Sequence, residues 1–442
     1  MVDFSPHTDE AIASMLAFCG LESTEDLFAT VPAAIRLAAG DLAVEPGRSE
    51  FDTMTLMEDL AGRNRVGRDL VCFAGGGAYD HDIPAVVRRV GFRAEFVTAY
   101  TPYQPEVAQG VLQALFEYQT LISRLSGLPV ANASLYDGAT AAVEAVNLAA
   151  AATGSPRLLL SGGVNPRTRQ VIDTFAAGTG HEPETVRLDG AGGTEWSAAT
   201  DGTAAAVVVQ YPNYLGVIED LTAARAAADA HGALLVVIMD PVAVGLLRSP
   251  GEYGADVVVG EGQPFGTPLS LGGPYLGLFA CRQEHVRRLP GRLVGETVDS
   301  RGTTAYVTTL RTREQDIRRE KASSNVCTNQ TLIAVCCAIQ LGWLGAGGLR
   351  ELALRCARGT RYARDGLCGL DGVGPLVSGP VLREFAVTTP IPASVIVERM
   401  ADEGYLAGIA LPDDSGLLVA VTERRTKAEI DGYVATFEKV VR

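Results

Sequence analysis

The stretch Gly254–Gly277, GADVVVGEGQPFGTPLSLGGPYLG, opens with an apolar β-branched run, passes through a loop dense in glycine and proline, and leads into a second apolar run, LGLFA. ADVVVG has no polar alternation, so it reads as a short strand buried on both faces rather than a half-exposed one. Upstream lie two runs of the same kind, AAAVVVQY (204–211) and ALLVVIMD (233–240). The alanine-rich segments GATAAVEAVNLAAAA and DLTAARAAADA separate the runs and read as helices. Strand–helix alternation with continuous apolar strands predicts an α/β fold, a mostly parallel sheet covered by helices on both faces.

Three regions follow. Residues 1–70 read as short helices punctuated by polar caps, including TDEAIASMLAFCG and STEDLFATV. Residues 71–330 form the large α/β domain. Residues 331–442 open with a long helical stretch and continue as a small α+β domain, where EFAVTT, ASVIVERMADEG, LLVAVTE and TKAEIDGYVATFEKVV alternate strand and helix.

The chain has 442 residues and a net charge of −15, which argues against binding nucleic acid or an anionic membrane surface. The opening MVDFSPHTDE lacks a basic n-region and an apolar h-region, and ALLVVIMDPVAVGLL is interrupted by Asp240 and Pro241. A cytoplasmic location is expected. Eight cysteines include no CxxC pair and the five histidines are scattered, so no metal site is expected.

Chemistry gathers where the carboxyl ends of the strands would lie. Asp137, Gly138, Ala139 and Thr140 precede an alanine-rich helix. Such a start can bind phosphate through its backbone N–H groups, and it serves equally as an ordinary N-cap. Asp240 ends a strand, where it could hold the protonated pyridine nitrogen of pyridoxal phosphate (PLP) or start the turn with Pro241. The Gly254–Gly277 stretch comes next. Phosphate-type helix start, strand-end Asp, then strand and loop is the order of parts in PLP enzymes built on a seven-stranded sheet, where that loop carries the lysine. Here it carries none. Of three lysines, the first is Lys321, inside RTREQDIRREKASSN, which reads as a solvated basic helix face. Arginine, at 34 residues, cannot replace the missing amine because a guanidinium stays protonated.

Three further polar clusters stand out: Tyr79, Asp80 and His81 in AGGGAYDH; Tyr100, Tyr103 and Gln104 in TAYTPYQPE; and Ser324, Asn325, Cys327, Thr328 and Asn329 in SSNVCTNQ. AGGGAYDH is neither GxGxxG nor a P-loop, so no nucleotide site follows. Each cluster reads as a structural turn or cap as readily as a site loop.

The strings GGGAYDHDIPAVV, TAYTPYQPEVAQGVLQALFEYQT, VANASLYDGATAAVEA, GEYGADVVVGEGQPFGTPLSLGGPYLGLFA, PGRLVGETVD, REKASSNVCTNQ and VTERRTKAEID run almost the length of the chain. They resemble the glycine decarboxylase (P-protein) family of the glycine cleavage system, and within it the alpha subunit of the two-subunit bacterial form. The resemblance implies a PLP-dependent transferase fold (fold type I, aspartate-aminotransferase-like), with a large parallel-sheet domain and a small C-terminal one. It implies a partner beta subunit that carries PLP on a lysine, and a heterotetramer of two such pairs. It also implies glycine as substrate and transfer of an aminomethyl group to the lipoyl arm of H-protein. Laying the family's lysine segment on ADVVVGEGQP puts Gln263 and Pro264 at the histidine and lysine positions. On that reading Gly138, Thr140 and Asp240 are vestigial, this chain binds no cofactor, and the three polar clusters are candidates for an interface near the partner's site. Two other readings stay open: a paralogue recruited to specialised metabolism, and a scaffold or regulatory subunit.

Overall fold

The computed structural model describes residues 6–37, 43–65, 69–99 and 101–442. The chain divides into two compact units, Met1–Arg65 and Val66–Arg442.

In the first unit, helix Asp9–Cys19 is capped by the Thr8 side chain, which accepts from the Ala11 N–H, and it ends at Gly20 in the left-handed region. A 3-10 turn, Thr24–Phe28, follows a Ser23–Asp26 capping box, and helix Glu50–Gly62 starts at Ser49.

The second unit is organised by a seven-stranded sheet. Its strands lie in the order Val130–Ala131, Gly277–Cys281, Val257–Glu261, Leu234–Met239, Ala206–Tyr211, Arg157–Ser161, Glu182–Val186. Gly277–Cys281 runs antiparallel to both neighbours and the other pairings are parallel, so the sheet is mixed. The period-2 geometry of a strand explains why its runs are apolar throughout. Val207, Val209, Leu235 and Val237 pack on one face with helices Gln109–Ser126, Leu221–Ala230 and Thr331–Cys368. Ala206, Val208, Val236 and Ile238 pack on the other with helices Gly138–Thr153 and Pro166–Thr179.

Helix Thr331–Cys368 breaks helical geometry at Gly345. It is the one described helix long and apolar enough to cross a membrane. Its first half, through Ala334, Cys337 and Leu341, belongs to the sheet's core, and Ala363 and Leu367 belong to the C-terminal core. There, an antiparallel sheet ordered Gly374–Pro375, Glu384–Thr388, Leu417–Ala420, Ile409–Ala410 shares a core with helices Ala393–Asp402 and Lys427–Val441. Residues 71–73, grouped by sequence with the large domain, lie in this C-terminal layer. Val71–Cys72 pairs with Tyr405–Leu406, and Phe73 stacks on Tyr433 at 4.0 Å. The chain from 74 to 82 therefore runs from the small layer past the carboxyl edge of the large sheet. The charged run around Lys321, expected as one helix, is instead a sequence of short turns, Arg311–Arg313, Gln315–Arg318 and Arg319–Lys321. Lys321 is exposed there, as expected.

Candidate functional site

A cavity of about 610 Å³ opens at the carboxyl edge of the large sheet. Among its lining residues are Gly75–Tyr79, Asp137, Gly138, Asp240, Glu261, Pro264, Arg383 and Glu384.

Helix Gly138–Thr153 begins with a capping box. The Thr140 N–H donates to Asp137 Oδ1 at 2.8 Å, and the Asp137 N–H donates to Thr140 Oγ1 at 3.2 Å. The Gly138 N–H is also taken, donating to Glu261 Oε2 at 2.9 Å. Glu261 ends strand Val257–Glu261, and its other oxygen accepts from the N–H groups of Gln263 (3.0 Å) and Leu276 (2.9 Å). A carboxylate of the chain itself thus occupies the positive end of the helix. Burial pushes Glu261 up to about 7, against three backbone N–H donors that favour its charged form. A Cβ at position 138 would lie 3.0 Å from the Glu261 backbone nitrogen, so glycine there allows a close approach of the helix start to the strand end.

Asp240 follows strand Leu234–Met239 and accepts from the Val242 N–H at 2.9 Å. Its second oxygen lies 2.7 Å from Arg383 Nε, a close ion pair without hydrogen-bond alignment. Arg383 is buried, stacks 3.5 Å above the centre of the Tyr79 ring and bonds His81 Nε2. His81 Nδ1 lies 2.6 Å from Glu423 Oε2. Since Arg383 can only donate, Nε2 accepts and His81 carries its proton on Nδ1. Glu384, next to Arg383, accepts from the Gly76 N–H at 2.7 Å and the Tyr79 hydroxyl at 2.9 Å. Burial raises Glu384 to about 7, and burial first, then the Glu384 charge, drives the Tyr79 phenol well above its ordinary range.

Gln263 is fully buried and clamps Tyr79 from both sides. Its Oε1 accepts from the Tyr79 N–H at 2.9 Å, and its Nε2 donates to the Tyr79 carbonyl at 3.0 Å and the Thr267 carbonyl at 2.8 Å. The Gly75–Gly77 turn admits no side chain at its start, since a Cβ on Gly75 would fall 2.4 Å from Glu384 Oε1.

The sequence candidates fall into two groups. Tyr79 and His81 join the Arg383 cluster, and Asp80 beside them pairs with Arg424 and Arg425. The second group centres on buried Arg292, which donates to the Tyr103 hydroxyl (3.1 Å), the Cys327 carbonyl (2.9 Å) and Asn329 Oδ1 (2.9 Å). Asn329 also donates to the Ala133 carbonyl at 2.8 Å. Ser324 accepts from the Val326 N–H at 3.1 Å, Thr328 is half-buried, and Gln104 and Asn325 are exposed. Tyr100 lies outside the described residues. His81, Cys356 and Glu423 bring ligand-type atoms within 4.8 Å of one another, but both ring nitrogens of His81 are already engaged. Sequence reasoning missed Glu261, Arg292, Arg383, Glu384 and Glu423. The one available signal was charge abutting apolar runs, in VVVGEG and REFAVTT.

The family model for the glycine cleavage system P-protein matches residues 3–437. A protein of Prosthecochloris aestuarii named probable glycine dehydrogenase (decarboxylating) subunit 1 is 47% identical over 436 residues, covering 98% of both chains. A protein of the same name from Moorella thermoacetica is 46% identical, covering 99% of both. A crystal structure of glycine decarboxylase (P-protein) of the glycine cleavage system, in inhibitor-bound form, superposes with a TM-score of 0.92 at 41% identity, covering 99% of this chain and 100% of that one. Mouse CSAD, at 16% identity and a TM-score of 0.67, shares the fold. The architecture is that of PLP-dependent fold type I enzymes, and the chain belongs to the glycine cleavage system P-protein family.

Proposed function

We propose that this chain is the non-PLP alpha subunit of a two-subunit glycine dehydrogenase (decarboxylating). In this reading a homologous beta subunit holds PLP, which supplies the electron sink for glycine decarboxylation. The aminomethyl group left behind passes to the lipoyl arm of H-protein. The alpha chain supports the beta subunit and completes the wall of its site.

One observation carries the proposal. All three positions that would engage PLP in this fold are filled by the chain's own groups. Glu261 sits on the Gly138 N–H at the helix start, Arg383 holds Asp240, and Gln263, which with Pro264 stands where the resemblance puts the histidine and lysine, is spent on Tyr79. A phosphate arriving at that helix start would meet an acidic neighbour, with the Gly138 and Thr140 N–H groups already engaged. A ring nitrogen would have to displace a buried guanidinium from Asp240. These residues do not fit the cofactor, so no catalytic step is assigned to this cavity. Its groups instead hold the segment 75–82 between the large sheet and the C-terminal layer.

Co-expression with the beta subunit from the same genome, followed by a glycine–bicarbonate exchange assay with H-protein, tests the reading. Exchange that requires both chains supports it. Full activity of the beta subunit alone contradicts the wall role. Failure of the two chains to co-purify favours recruitment of a paralogue to another pathway.

A further inference from the structure

We propose that the cavity at the carboxyl edge of the large sheet binds an aliphatic amine in its ammonium form. The proposal stands on contacts within Val66–Arg442 and needs no second subunit. It shares with the reading above only the misfit between this cavity and PLP. At about 610 Å³ the cavity has the size of a small-molecule site. Its walls are apolar at Val171, Ile238, Met239 and Ile409, and acidic at Asp137, Asp240, Glu261 and Glu384. Two of these carboxylates are engaged within the chain: Asp137 caps its helix and Asp240 holds Arg383. Glu261 and Glu384 differ, since neither has a cationic nitrogen within 4.0 Å among the described residues. Arg383 is the buried cation of the lining, and its guanidinium is engaged by Asp240 and His81. A carboxylate oxygen accepts two hydrogen bonds. Glu384 uses one on each oxygen, from the Gly76 N–H and the Tyr79 hydroxyl. Glu261 uses one on Oε2 and two on Oε1. Acceptor positions are therefore left on both, and Glu384 is only 5% exposed. A desolvated charge of this kind calls for a partner of opposite sign. Without one a proton takes its place, and burial pushes both carboxyls up to about 7.

An ammonium group matches what is left over. It brings a full positive charge and three donors and needs no acceptor in return. The alkyl chain behind it covers the apolar wall. A carboxylate or phosphate ligand would face the same two acids and be repelled. A metal ion suits the cavity less well. Among the described residues, neither glutamate belongs to a group of three ligand-type side chains close enough to hold one. Arg167 also lines the cavity, but it is exposed, so solvent screens its opposing charge.

Calorimetric titration of the full-length chain with 1,5-diaminopentane, n-pentylamine and pentanoate tests the proposal. Both amines are expected to bind saturably, and pentanoate not to bind. The charged groups facing the two glutamates are Asp137, Asp240, Arg167 and Arg383, and the Tyr79 and Tyr275 phenols beside them are raised and stay protonated. From pH 6 to pH 8 the amines keep their charge while the glutamates lose their protons. Binding should tighten about 10-fold across that range and release protons at pH 7, seen as a heat that depends on the buffer. Glu384→Gln can still accept from Gly76 and donate to Tyr79, and it should weaken both amines about 10- to 100-fold without lowering the melting temperature. The pH and proton-release readings use the wild-type chain and decide the matter even if the variant misfolds. The proposal is overturned if neither amine binds saturably, if pentanoate binds as tightly as n-pentylamine, if amine affinity does not change with pH, or if a folded Glu384→Gln chain binds the amines unchanged. Saturable binding of PLP to this chain defeats the non-PLP reading instead, a result separate from these.

Discussion

Replacing Arg383 by Met keeps a long side chain in place and removes its charge. Three contacts go with the guanidinium: the 2.7 Å ion pair with Asp240, the bond to His81 Nε2 and the stacking 3.5 Å above the Tyr79 ring. Asp240 is then a nearly buried carboxylate without a counter-charge. Breaking one side of a buried ion pair costs about 3–5 kcal/mol, mostly because the remaining charge stays desolvated. An unfolding entropy of ~2.1 cal/mol/K per residue gives ~0.8 kcal/mol/K for a unit of about 380 residues, so the loss amounts to a fall of roughly 5 °C in melting temperature. Asp240→Asn leaves Arg383 unpaired and should cost a similar amount, while its Oδ1 can still accept from the Val242 N–H. The double variant removes both charges. Its cost should fall short of the sum of the singles by at least about 2 kcal/mol. Urea unfolding at pH 7.5 and calorimetry measure the cycle. Strict additivity, or singles within ~0.5 kcal/mol of wild type, would show that Asp240 and Arg383 do not stabilise one another.

Three other outcomes follow from the same cluster and its neighbours. Glu384 titrates near 7 when folded, against 4.5 for a glutamate in open solvent, so the folded chain binds its proton more tightly between those values. Stability is full below about pH 4.5 and falls as pH rises to about 7, by up to about 3 kcal/mol for this group. Glu384→Gln, which can still accept from Gly76 and donate to Tyr79, should therefore gain on wild type between pH 5 and pH 8; a pH-independent difference in urea midpoint contradicts this. Gly75→Ala drives a methyl onto Glu384 and Ala420 and should destabilise the chain by about 1–3 kcal/mol, read by the same denaturation. Asn325→Ala, at an exposed position in the 324–329 loop, should lower the complex's exchange rate about 10- to 100-fold without releasing PLP from the beta subunit, and an unchanged rate removes that loop from the site wall.

The large sheet was legible because its strands are apolar without interruption, and burial on both faces demands that pattern. Asp137 as a helix cap and Asp240 at a strand end were legible for local reasons, each being a short polar side chain beside a periodic run. The long-range partners that line the cavity were not. Glu261 lies inside the stretch that raised the question of the lysine, yet its partner Gly138 is 123 positions upstream. Arg383 meets His81 across 302 positions. A pair of charges before an apolar strand reads as a loop end until the C-terminal layer folds back over the segment 75–82. Arg292 gathers Tyr103, Cys327 and Asn329, so two loops that looked separate share one cation. Long-range pairing of this kind leaves no periodicity in the chain. The resemblance supplied the reaction, and the contacts of Glu261, Asp240 and Gln263 are the geometry on which the proposal of a non-PLP chain rests.

The most direct test is to purify the complex of this chain with its beta subunit, confirm glycine–bicarbonate exchange, reduce it with borohydride and map the pyridoxyl label by peptide mass spectrometry. The account predicts one label on a lysine of the beta subunit and none on Lys321, Lys427 or Lys439, the three lysines of this chain. Stoichiometric label on any of these three, in an active complex, would contradict it.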